Sequence, residues 1–179
     1  NSGLDTHSKW IDPLFVSTVT PDFHLQAASP AINAGVSVGL TTDYAGLTVP
    51  DTCSSLYDIG AYEYQYDCTP SAFTFTDITG AIKSSVYSSN TVMLTGFDYP
   101  LTPMAITGGT YSKNGAAFTA NAGTVTANDN IVAKATSSAS GLTSVNAILT
   151  VGGISDTYTI TTGPDLGGYR GRMGIHWMW

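Results

Sequence analysis

The sequence predicts an all-β chain built of two unlike parts, followed by a short tail of a third character. Thr, Ser, Gly, Val and Tyr are abundant, whereas runs of strong helix formers are absent. Gly and Pro punctuate the chain at short intervals, and apolar residues alternate with polar ones instead of recurring at helical spacing. With 179 residues, 42% hydrophobic and only 11% charged, the chain has enough apolar material for one or two cores.

Residues 1–68 make up the first part. Asp12-Pro13-Leu14-Phe15-Val16, Pro21 to Gln26 and Ser29 to Gly35 are three short apolar pieces separated by Pro, Ser, Thr and Asp. None is long enough to bury itself alone. Phe23 and Leu25 fall on one strand face with Asp22, His24 and Gln26 on the other, and Ala31, Ile32 and Ala34 suit a tight turn. Val36 to Pro50 is looser and contains Thr41 to Gly46, a polar loop ending in a turn signal. Asp58 to Tyr64 then reads as an alternating strand with Gly60 at its centre. Ile59 and Ala61 supply its apolar face, with the rings of Tyr62 and Tyr64, while Asp58 and Glu63 stay in water.

Taken in order, the motifs at 12–16, 22–25, 29–35, 42–46 and 58–64 resemble the C-terminal end of secreted, pectate-lyase-like right-handed parallel β-helix proteins. The resemblance implies that residues 1–68 are the terminal rungs or cap of such a helix. It implies no single activity, because that group includes lyases, hydrolases, adhesins and structural surface proteins. The chain holds at most one or two rungs where the family carries many.

Residues 69–163 alternate more regularly, at Phe73/Phe75, Val92/Leu94, Ile106, Tyr111, Phe118, Val125, Ile131/Ala133/Ala135, Val145/Ala147/Leu149/Val151 and Tyr158/Ile160. Turn signals fall between them: Gly108-Gly109, Asn114-Gly115, Asn128-Asp129-Asn130 and Gly152-Gly153. About seven short strands in this span is the pattern of an Ig-like sandwich. Phe73 to Asp77, Ile106 to Ser112 and Thr157 to Thr161 resemble the bacterial Ig-like repeats appended to surface proteins.

Residues 164–179 form a Gly/aromatic tail that contains both arginines of the chain. One account is a flexible extension. The other is a segment that docks on a partner through Tyr169, Trp177 and Trp179, whose large apolar surfaces favour burial.

The net charge of −7 concentrates in residues 1–68, where eight acids face Lys9 alone; this argues against a nucleic-acid partner. No apolar run approaches a membrane span. Asn1-Ser2-Gly3 has neither an initiator Met nor a basic and apolar leader, so the chain is read as a fragment or a processed product. A first rung starting near Trp10 would leave an open edge, to be covered by an upstream helix or by a neighbouring subunit.

Few constellations point to chemistry. A polysaccharide lyase needs an Arg or Lys base beside carboxylates that hold calcium, and residues 1–68 offer only Lys9. Asp12, Asp22, Asp43 and Asp58 sit beside Pro or in turns, where a carboxylate caps backbone N–H groups. A glycosidase pair of carboxylates would need a groove, which so few rungs do not build. Asp22 and His24 share a strand face, but His7 and His176 are too distant to complete a zinc set. Cys53 and Cys68 bracket the 58–64 stretch and are read as a disulfide, with two independent thiols as the alternative.

These observations lead to a non-enzymatic structural or adhesive module of a secreted or cell-surface bacterial protein, without catalytic residue, metal or cofactor. Its partners are read as neighbouring domains of a larger chain or identical subunits, with surface polysaccharide as an alternative. The alternatives are an accessory, carbohydrate-binding part of a polysaccharide lyase or glycoside hydrolase, and a subunit of an extracellular filament.

Overall fold

The computed structural model describes residues 9–165, and these are all-β, with ten strands in three sheets and no helix. Strands β1 (Phe15–Ser17) and β2 (Asp22–Leu25) form an antiparallel hairpin, Phe15 opposite Leu25. Leu25 turns inward, whereas Phe23 remains half exposed and meets the ring of Phe15 edge to face at 5.3 Å.

No further strand forms up to residue 77. The stretch 58–64, expected to be a half-buried strand, is a series of bends, and its burial is inverted. Glu63 is buried at 7% exposure and Asp58 is partly buried, while Ile59 and Ala61 face solvent. The reason lies in the backbone: with no ladder to satisfy its N–H groups, this segment takes carboxylate oxygens into its interior instead.

The remaining strands lie in two sheets. A five-stranded sheet contains β3 (Ile78–Ala81), β10 (Ile154–Thr162), β9 (Ser144–Val151), β5 (Thr102–Thr107) and β7 (Gly123–Val125), in that order across the sheet. A three-stranded sheet holds β4 (Val86–Met93), β8 (Asn130–Thr136) and β6 (Thr110–Lys113). All pairings are antiparallel except β10 with β3.

Period-two alternation sends Met104 and Ile106, Ile131, Ala133 and Ala135, and Ala147, Leu149 and Val151 into one hydrophobic core shared by the two sheets. The turn signals perform as their chemistry requires. Gly152 and Gly153 have φ of 52° and 86°, giving the two-residue hairpin that sets β9 against β10 over eight residue pairs. Gly108 is needed for a second reason, since a Cβ there would stand 2.1 Å from the carbonyl oxygen of Asn146.

Phe73 and Phe75, expected in an opening strand, lie instead in irregular chain. Asn90 Oδ1 accepts the Thr76 N–H at 2.7 Å and Asp156 Oδ2 accepts the Phe75 N–H at 2.6 Å, so side chains hold this segment in place of a ladder. Phe75 still reaches the core, with its ring 6.2 Å from that of Tyr158.

Tyr158 is fully buried, its hydroxyl has no hydrogen-bond partner among the described residues, and burial pushes its titration upward. A desolvated, unpartnered hydroxyl costs about 1–3 kcal/mol. Tyr158→Phe is therefore expected to leave the urea midpoint unchanged or raise it. A loss of more than about 2 kcal/mol would reveal a partner for that hydroxyl.

Candidate functional site

Two features of residues 9–68 stand apart from ordinary surface: an interior knot of carboxylates and an outward apolar face beside it.

In the knot, each acid bridges chain segments that are remote in sequence. Asp58 accepts Asn33 N–H at 2.7 Å on Oδ1 and Tyr64 N–H at 2.6 Å on Oδ2. Glu63 accepts Asp51 N–H at 3.4 Å and Asp58 N–H at 3.2 Å. Asp51, 4% exposed, takes the N–H groups of Cys53, Ser54 and Tyr66. Asp43 closes its own loop through Ala45 and Leu47 N–H, and its second oxygen takes Glu63 N–H at 3.0 Å. Asp12 and Asp22 cap Leu14 and His24 N–H in the same way. The four acids expected to cap backbone therefore all do so; Glu63, expected in water, is buried among them, and Asp51, the most buried of these acids, carries no expectation from the sequence. Asp51 follows Pro50 and precedes the small polar pair Thr52 and Ser54, a local turn signal that could have identified it.

Cys53 and Cys68 are joined in a disulfide, with Cα atoms 5.7 Å apart. The bond encloses the Asp58 to Tyr64 segment and ties the knot to the start of the next part. Asp98 continues the junction by accepting Asp67 N–H at 2.7 Å on Oδ1. The rings of Tyr64, Tyr66 and Tyr99 meet edge to face at 4.8 and 5.2 Å. Gly152 packs so closely on the Cys68 carbonyl that a Cβ would lie 2.0 Å from its oxygen.

Burial is the main cause that holds the Asp58 and Glu63 carboxyls above their ordinary range, with neighbouring carboxylates adding to it and backbone N–H groups opposing it. At Asp129 burial pushes the same way, but Thr126 N–H, the Asn114 amide and the Lys113 ammonium outweigh it and hold the carboxyl low.

On the outer face, Val36, Val38 and Leu40 are 77%, 73% and 59% exposed, on an irregular segment that bends at Gly39, where φ is 79°. Residues 36–40 make no backbone–backbone hydrogen bond to another described residue. A cleft of about 380 Å³ lies on one side of them, lined also by Tyr44, Val49, Tyr57 and Tyr62, with Asp43, Asp58 and Glu63 at its polar end. A second cleft of about 760 Å³ lies on the other, between Val36 and Val38 and the Lys9, Ile11 and Phe15 side. His24 stacks on Tyr62 at 3.9 Å, and Tyr44 meets Tyr62 edge to face at 5.8 Å.

His24 is already engaged in this arrangement, with Nδ1 2.6 Å from Asp22 Oδ1; that hydrogen bond is the chief reason the Asp22 carboxyl titrates low. Among the described residues no three His, Cys, Asp or Glu side chains cluster as a metal ion would require, and no helix is long and apolar enough to cross a membrane. Tyr169, Trp177 and Trp179, the expected partner-docking residues, lie outside the described residues. No family model, curated protein or solved structure matches the chain.

Two predictions follow from the knot and its disulfide. Replacing Cys53 and Cys68 together with Ser is expected to cost on the order of 3 kcal/mol, the loop-closure value for a cross-link of this span. Non-reducing peptide mapping, with melts in the presence and absence of reductant, measures it.

The second concerns pH. A carboxyl raised in the folded state binds its proton more readily folded than unfolded, so the contribution of Asp58 and Glu63 falls as pH rises from the ordinary carboxylate range through their raised values. Asp129, held low, contributes oppositely, and its share is lost as pH falls through its lowered value. Carboxyl-carbon NMR titration is expected to place Asp58 and Glu63 above, and Asp129 below, the ordinary range of their residue type. Asp58→Asn, which turns an amide NH₂ toward a backbone N–H, is expected to destabilise by about 1–3 kcal/mol and to flatten the fall in stability as pH rises above the ordinary carboxylate range.

Proposed function

We propose that the chain is a non-enzymatic structural or adhesive module of a secreted or cell-surface protein, and that it works by seating a neighbour on its 36–40 face. The observation that carries this is the exposed row of Val36, Val38 and Leu40, on a segment that makes no backbone–backbone hydrogen bond to another described residue. Contiguous exposed apolar surface marks an interaction site.

Other features support the same reading. The carboxylates beside the face are engaged with the backbone, which makes them framework. The disulfide favours an oxidising compartment. We read residues 9–68 as the closing end of a parallel β-helix, whose preceding rung would cover the face lined by Ile11, Val36 and Val38. We read the two sheets that share a core as an Ig-like sandwich, on the alternation of their strands and on the face-to-face burial of their apolar sides.

A specific observation favours a second reading. The exposed Tyr44 ring, with Tyr62, His24 and the nearby Asp43, is an aromatic and polar surface of the kind that accepts a sugar. It makes a carbohydrate-binding accessory module the alternative.

The test incubates the chain with calcium and polygalacturonate, alginate or chitin fragments, and then runs it in affinity gels of the same polymers. No product and no retardation are expected. Turnover abolished by Lys9→Ala would overturn the non-enzymatic reading, and retardation abolished by Tyr44→Ala would establish the carbohydrate-binding one.

A further inference from the structure

The cleft beside Val36–Leu40 needs an occupant that is apolar, able to lie extended, and opposite in charge to its surroundings. Residues 9–68 carry seven acids against Lys9 alone. The same face of a second copy would therefore be repelled. Residues 166–179 fit the requirement, since they contain both arginines of the chain, no acid, and Tyr169, Met173, Ile175, Trp177, Met178 and Trp179.

Reach decides whether this segment comes from the same copy. It leaves the described fold at Asp165, which lies beside Gly141 and pairs with Lys83 at the Thr162 end of β10. The other end of β10, at Ile154, follows the Gly152–Gly153 turn that packs on Cys68. Nine strand residues separate these ends, about 30 Å at 3.3 Å per residue. Trp177 is twelve residues beyond Asp165 and extends at most ~43 Å. After running back along β10 it would have about 13 Å left to pass the tyrosine junction and reach Val36. A neighbouring molecule meets no such limit.

We propose that residues 166–179 of a second copy occupy the cleft of about 380 Å³ beside Val36–Leu40, burying their tryptophans against Val36, Val38 and Leu40. This rests on the reading of the 36–40 face as a docking surface. The donor segment and the receiving cleft are different surfaces of the chain, so the contact is heterologous, and an open assembly leaves one cleft and one donor unused at its ends. The occupant's arginines meet the acidic surroundings of the cleft, so added salt weakens the association.

The experiment compares the full chain with two full-chain variants by sedimentation velocity and light scattering. Val38→Asp spoils the cleft and leaves the donor intact, whereas the double variant Trp177→Ser/Trp179→Ser does the reverse. Val38 is exposed, so its replacement leaves the core untouched; circular dichroism and the intact disulfide verify the fold. The native chain is expected to associate with increasing concentration, and each variant alone is expected to be monomeric. An equimolar mixture of the two is expected to stop at a 1:1 dimer, because only one productive junction remains. A synthetic 166–179 peptide is expected to compete with native association and to bind Val38→Asp at least about tenfold more weakly than the tryptophan double variant.

A monomeric native chain at every concentration, a tryptophan double variant that assembles like the native chain, or a mixture that stays monomeric would each overturn the proposal. A native monomer whose tryptophan emission shifts to the red on Val38→Asp would assign the occupant to the same copy, and overturns it as well. The docking reading itself fails separately: it falls if the Val36→Asp and Val38→Asp variants bind neither less peptide nor less hydrophobic dye than the native chain.

Discussion

A backbone N–H removed from water must find an acceptor, and in residues 29–68 almost no strand ladder is there to provide one. Asp43, Asp51, Asp58 and Glu63 take that role, and each holds two or three N–H groups from segments up to 25 residues apart. A carboxylate suits this task because its two oxygens accept from separate directions, and such charge-assisted bonds are stronger than neutral ones. Enclosing charge is costly, which is why Asp58 and Glu63 titrate high, yet removing any one acid would leave several buried donors without a partner.

The position of the apolar residues follows from that constraint. The interior of this part is small and occupied by carboxylates and the backbone they hold, with little room left for aliphatic side chains. Leu25 and Ala31 are its buried hydrophobic residues, while Ile11, Val36, Val38, Leu40 and Ile59 remain outside. An exposed apolar row is costly in water, and here it lies on a segment pinned at Gly35 by the Tyr57 carbonyl at 2.6 Å. Framework and exposed apolar face are thus two consequences of one arrangement. The disulfide, the Asp67–Asp98 contact and the close approach of Gly152 then attach it to the two-sheet part.

The two-sheet part depends on different physics. Its backbone groups are satisfied by ladders, so its side chains divide by alternation into a dry core and a wet surface. Polar side chains intervene only where ladders stop: Asp156 and Asn90 hold the chain around Phe75, Asp77 accepts Thr159 N–H at 2.7 Å, and Asp129 holds the turn before β8.

Much of this was legible in the residues. The all-β class, the alternation of β5, β8, β9 and β10, the Asn-Gly and Gly-Gly turns and the capping roles of Asp12, Asp22, Asp43 and Asp58 are local properties, decided by side chains and by backbone within a few positions. The pairing of Cys53 with Cys68 was legible through spacing and composition. Alternation misled at 58–64, because a period-two pattern does not say whether a partner strand will pair with it or which side will be enclosed. That choice belonged to the tertiary structure, which joins Asp58 to Asn33 and Glu63 to Asp51 and so draws the acids inward. The clefts beside Val36 and Val38 arise for the same reason, from segments that local sequence cannot place side by side: the sequence by itself determined strand, turn and cap, and the long-range hydrogen bonding of unpaired N–H groups decided which face met water.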